Sequence, residues 1–260
     1  MSKHAQLELP KKTVRGVFLK RLRVFLTVLV AAVFVLLGMS APAQASSPTG
    51  QSSSDQQHIL DFFRQYDVPQ KQWEPLMKDL KEGRPWDSLT GVTPTSVEDR
   101  DTPTSSVRIS RFSDGSVIVS TLERPTQVVS SSPPLLAGDN AITPMASLAG
   151  CTVYTGSGYA VYRGCGVSNQ WGNVYVGFNA DYSVINGAND TIDRVYNQTA
   201  TCWGIGWSCT AANFDPIKTS EDGWGAATAR AHSWVSAQWG SWDVWVQLNV
   251  GGNSGWATNS

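Results

Sequence analysis

The chain is short of the residues that enzymes most often use for chemistry. It has three histidines, and only His58 and His232 lie beyond the first 45 residues. The phrase G-x-S-x-G, which presents a serine on a sharp strand-to-helix turn, does not occur. Asn253-Ser254-Gly255 with His232 and Asp243 has the chain order of a serine triad. All three fall on one predicted hairpin and its tail, with His232 and Asp243 several pairs apart, so no triad is expected. No C-x-x-C pair is present. Zinc wants such close pairs with histidine help, and the sequence predicts no metal and no cofactor.

Basic charge is scarce as well. The whole chain has 20 basic and 21 acidic residues. The first 45 residues hold seven of the basic ones and one of the acidic ones, which leaves 13 and 20 and a net charge of −7. A surface of that sign does not suit nucleic acid or an anionic membrane, because binding to both depends on neutralising phosphates.

Long apolar runs are missing too, with one exception. Lys11, Lys12, Arg15, Lys20, Arg21 and Arg23 precede an uncharged stretch from Val24 to Met39, and Ala43-Gln44-Ala45 follows. That order predicts a secretory signal peptide over residues 1–45. The apolar stretch is 16 residues, short of the roughly 20 that a spanning helix needs. The four cysteines, at 151, 165, 202 and 209, all lie in the last 110 residues. In an exported chain an even count predicts disulfides. Pairing Cys151 with Cys165 and Cys202 with Cys209 closes the shortest of the possible loops. Loops of that size contribute about 2.5 to 3 kcal/mol each in the chain-entropy account.

The rest of the chain divides by composition. Residues 46–56 read as a disordered Ser-rich lead-in, with Ser54 and Gln57 as a capping box. Residues 57–124 read as a small helical hairpin followed by a β-hairpin. Trp73, Leu76, Met77 and Leu80 make one apolar stripe that ends at Gly83. Ser113-Asp114-Gly115 is a turn between two alternating runs. Residues 125–149 have a Pro/Ser linker composition. Residues 150–260 hold nine of the eleven tryptophans and only four basic and seven acidic side chains, in short alternating runs. The fold class is therefore mainly β: an antiparallel sandwich or barrel with two disulfides, preceded by the two hairpins.

This layout resembles a family of uncharacterised exported actinobacterial proteins. The likeness is carried by YDVPQKQWEPLMKDLKEGRPWDSLTG, SDGSVIVST and GCTVYTGSGYAVYRGC. It implies a secreted, globular, Gram-positive protein and brings no catalytic residue with it.

Two surfaces carry functional expectations. In the last hairpin, Gly240-Ser241 reads as a two-residue turn that sets Trp239 against Trp242. Val235, Val244, Val246 and Leu248 then share an apolar face. His232, Trp234 and Gln238 share the other face with Asp243, Trp245, Gln247 and Asn249, and Trp234 and Trp245 are diagonal neighbours. Aromatic rings among amides and acids suit a sugar, whose ring faces are apolar and whose hydroxyls need hydrogen bonds. Trp203 and Trp207, in the small loop CWGIGWSC, are secondary candidates.

The leading expectation is a secreted, non-enzymatic β-protein. Its partner would be a glycan or cell-wall polymer, or another extracellular protein. A carbohydrate hydrolase is the alternative, with Asp181 working with a second carboxylate from Asp190, Asp193, Glu221, Asp222 or Asp243. An envelope structural protein is a third reading. A thiol titration of the denatured, non-reduced protein should find no free thiol, and a count near four would refute the two-disulfide scheme.

Overall fold

A computed structural model of the chain describes residues 51–129 and 150–260. The expected signal peptide, the start of the lead-in and most of the Pro/Ser linker lie outside the described residues. Two helices come first. Helix α1 (Gln51–Gln65) buries Ile59, Phe62 and Phe63. It starts inside the expected lead-in, so residues 51–56 are helical and Ser54 sits within the helix rather than capping it. Short helices depend on tertiary contacts, and the N-terminal half of α1 has them. Asp55 accepts the Gly204 backbone N–H at 3.2 Å, and His58 stacks on Trp203 at 3.9 Å. Helix α2 (Gln70–Lys81) buries the predicted stripe of Leu76, Met77 and Leu80. Gly83 follows at φ 68°, the left-handed conformation that ends helices.

Eight strands form the first sheet: β1 (Ser96–Asp101), β2 (Ser105–Arg111), β3 (Val117–Glu123), β4 (Gln127–Val129), β5 (Thr152–Gly156), β6 (Tyr159–Gln170), β7 (Val174–Ile185) and β8 (Thr191–Cys202). The predicted hairpin is β2–β3, with Ile109 opposite Val119 and Gly115 at φ 90°. Strand β1 was not legible. Its six residues, SVEDRD, are all exposed and pair only with β2. Strand β4 falls within the expected linker and pairs in parallel with β5. Strand β6 joins the two halves of the chain. Residues 159–163 pair with β5, residues 167–170 pair with β3, and β7 lies along the other edge.

The second sheet contains β9 (Ser208–Cys209), β10 (Asn213–Phe214), β11 (Ala227–Ala237), β12 (Gly240–Gly251) and β13 (Ser254–Asn259), in the order β10-β11-β12-β13 with β9 also on β11. Its inner face is Ala227, Ala229, Ala231, Val235, Val244, Val246, Leu248 and Val250, all buried. These join Val174, Val176, Phe178 and Ala180 of β7 in one core. The same core takes in Ile59, Phe63, Leu76 and Leu80 of the helices. Regions 57–124 and 150–260 therefore share one hydrophobic interior. The fold is mainly β with two antiparallel sheets, and the disulfides are Cys151–Cys165 and Cys202–Cys209 as predicted.

Tryptophan indoles bind the helices to the sheets. Trp171 donates its ring N–H to the Ser88 carbonyl (3.0 Å), Trp207 to Leu80 (2.9 Å) and Trp239 to Glu82 (2.9 Å). Trp86 donates to Leu76 within the N-terminal segment. Trp171 is fully buried, and replacing a core tryptophan by alanine costs about 3 to 5 kcal/mol. Trp171→Ala should lower the guanidinium midpoint accordingly. Because helices and sheets share one core, far-ultraviolet dichroism and tryptophan fluorescence should report one coincident unfolding transition in the parent protein.

Candidate functional site

The outer face of the second sheet is open. Among the described residues no helix or strand covers it. Trp234 is 49% exposed, and Trp245 is half-buried on the neighbouring strand. The hairpin closes two residues earlier than predicted. Gln238 and Trp239 form the turn, Ala237 faces Gly240, and Val235 faces Trp242. Trp239 therefore does not pair with Trp242. Its indole is held by Glu82, Arg84 lies 5.6 Å from its ring centre, and Gln238 packs against Gly83. These contacts with the end of α2 choose the turn, and Gly240 accommodates it at φ 145°. Every cross-strand partner moves by four residues. An even shift keeps each side chain on its face, so Trp234 and Trp245 remain diagonal neighbours on the outer side.

Polar groups on this face are bonded to one another. His232 lies opposite Trp245, with its Nδ1 3.1 Å from an Asp243 oxygen and its Nε2 3.6 Å from Asp215. Asp243 lies opposite Trp234. The Arg230 guanidinium sits 4.1 Å over the Trp245 ring and donates through Nε to Gln247 at 3.0 Å. Gln247 donates to Asn249 (2.7 Å), and Asn249 donates to Thr258 (3.1 Å). Asn249 is buried, so its amide props up the row. The sheet thus brings together Trp234, Trp245, Asp243, Gln247 and Asn249, with Gln238 at the hairpin tip. Arg230 covers one side of the Trp245 ring, and Trp234 keeps the most accessible ring of the two.

Trp203 and Trp207 do not join this group. Trp207 is buried, bonded to Leu80 and stacked on Trp242 at 5.9 Å, and Trp203 stacks on His58. The CWGIGWSC loop is a clamp on the helices. Beside it, a groove of about 190 Å³ is lined by Ile59, Met77, Leu80 and Ile205. A larger concavity, about 480 Å³, lies along α1 and α2 between Leu60, Trp73 and Met77. Both are apolar grooves of the helical hairpin, and neither is lined by a residue of the sheet face.

The carboxylates expected for hydrolysis are engaged in holding strands. Asp181 is buried where the β6–β7 and β7–β8 registers shift. It accepts the Gly164 N–H (2.8 Å) and the Arg194 guanidinium (2.9 Å). Asp190 accepts the backbone N–H of Ile185 and of Asn253, and Glu221 accepts those of Asp190 and Gly252. Asp193 binds Arg163, and Asp222 binds Lys218. No group of three metal-ligating side chains exists among the described residues. His232 and Asp243 are closer than predicted, in direct contact. Ser254 bonds Gly251 instead and lies opposite it, six residues along β12 from Trp245, or about 20 Å at strand spacing.

Sequence reading missed Trp224, which is 96% exposed. Its turn is fastened by the Trp224 N–H bond to Asp222 and by Lys218. The glycines on either side of it were the available sign. It also missed Trp256, on β13 at the sheet edge and 38% exposed.

No family model matches the chain, and no curated protein matches it. A solved structure of a hypothetical protein from Listeria monocytogenes EGD-e aligns with 68% of this chain and all of its own, at 13% identity and a TM-score of 0.32. A likeness that slight carries no argument.

Burial against Trp203 lowers the His58 pKa from the ordinary 6.5, and Asp55 and Asp61 oppose the shift less strongly. The unfolded chain then binds the proton more readily. Stability should fall as pH drops through and below 6.5. His58→Phe keeps a ring on Trp203 and should flatten that part of a stability–pH curve measured in urea.

Proposed function

We propose that this protein is a secreted, non-enzymatic β-protein that binds a glycan or cell-wall polymer through the outer face of its second sheet. One observation carries the reading. Trp234 and Trp245 stand side by side on an uncovered sheet face, ringed by Asp243, Gln247 and His232. An exposed indole loses water favourably to the C–H face of a sugar, and adjacent acids and amides take the hydroxyls. Placement on long paired strands keeps these side chains in fixed relation, which lowers the ordering cost of binding. Export is supported by the leader sequence and by two disulfides, which persist in oxidising compartments.

The test is retention of the mature protein on cell-wall and polysaccharide matrices, beside a Trp234→Ala, Trp245→Ala double variant. Trp234 is 49% exposed and Trp245 half-buried, so circular dichroism of the double variant accompanies the retention assay to establish that it is folded. The parent should be retained and the folded double variant should wash through. Equal retention of the two proteins rules the face out.

A further inference from the structure

The register of the second sheet places a third tryptophan in line with the first two. Trp234 on β11 lies opposite Asp243, Trp245 follows on β12, and Trp256 on β13 lies opposite Asn249. Cross-strand partners project to the same face, so all three rings stand on the outer side. Read along β12, their rows are 243, 245 and 249, and read across the sheet their strands are β11, β12 and β13. The progression is one-directional in both senses, which makes a diagonal that steepens toward β13.

The first step is about 7 to 8 Å between Cα positions. The second, four residues along and one strand over, is about 14 Å at ordinary strand spacing. Gln247 and Thr258 occupy that gap, paired to each other across the strands. Their neighbour bonds leave amide and hydroxyl capacity for a ligand lying above. At the far end a crevice of about 180 Å³ opens beside Trp256, between β13 and the β2–β3 hairpin.

Charge narrows the ligand. Along this path Arg230 faces Asp215, His232 contacts Asp243, and Lys218 is bound to Asp222. In the crevice Asp99 is bound to Arg108 and Asp101 to Arg124. Each of these arginines and Lys218 has a carboxylate partner on the protein, so an anionic polymer would find no unmatched cation and would strain existing pairs. We propose that the face is an extended track for an uncharged, unbranched polysaccharide, with Trp256 as its distal subsite. This rests on the glycan reading above and adds polymer length, neutrality and a third contact to it. An extended chain, as β-1,4 linkage gives, matches a line of rings on a sheet better than a coiled one.

The experiment titrates the intact mature protein, by fluorescence and calorimetry, with cello- and N-acetylchito-oligosaccharides from disaccharide to hexasaccharide. Oligogalacturonates of equal length provide the charged arm. Affinity should rise about tenfold from disaccharide to hexasaccharide in a neutral series, the order expected for one more aromatic contact. Trp256→Ala should abolish that rise and leave disaccharide affinity unchanged, and Trp256→Tyr should restore most of it. The tyrosine variant also guards against a misfolded edge strand. Affinity independent of length, an unaltered rise in Trp256→Ala, or tighter binding of the galacturonates overturns the track while leaving a glycan site at Trp234 and Trp245. No binding of any saccharide overturns both.

Discussion

The fold depends on how the carbonyls at the end of α2 are satisfied. A helix leaves its last four C=O groups without intrahelical partners, and burying them unpaired is costly. Here the Leu80 carbonyl receives the Trp207 indole, and just past the helix the Glu82 carbonyl receives the Trp239 indole. Ser88, after the 3-10 turn at Asp87–Leu89, receives Trp171. Each donor comes from the C-terminal half and each acceptor from the N-terminal half. A helical hairpin too short to hold a core alone thereby becomes part of a larger one. The tryptophans combine a large apolar ring with one directional bond, so they supply burial and alignment together.

Two populations of three tryptophans each stand out in that arrangement. Trp86, Trp171 and Trp207 are buried and bonded to backbone. Trp234, Trp245 and Trp256 stand on a sheet face, and none of the three donates its indole N–H to a protein acceptor among the bonds described. The disulfide Cys202–Cys209 serves the first population, because it sets the loop that inserts Trp207 against α2. The polar lattice from Asp215 to Thr258 serves the second, because it fixes the surroundings of Trp245.

Much of this could be read from local pattern. The α2 stripe, the Asp114-Gly115 turn, both disulfides and the two faces of the last hairpin are encoded by residues near one another in the chain. What escaped was set at long range. The hairpin turn moved because Trp239 and Gln238 meet Glu82 and Gly83, more than 150 residues away. The start of α1 moved because Asp55 and His58 meet Gly204 and Trp203. Trp256 could not be placed on the outer face until Gly251 and Ser254 were known to turn β12 into β13. The faces survived the altered turn because a shift of even length leaves alternation intact, and the candidate site inherited that tolerance.

The free margin of the first sheet has a bearing on crowding. Strand β1 presents unpaired backbone to solvent along SVEDRD, and such a margin is a template for adding another chain. Four consecutive charged side chains, Glu98 to Arg100 and Asp101, occupy it, and Arg108 and Arg124 lock two of the acids in place. Copies gathered side by side on one polymer would bring these margins close together. Two such strands would set fixed charges against each other before their backbones could pair. On the proposed polymer, that charged margin would oppose strand pairing between neighbouring copies.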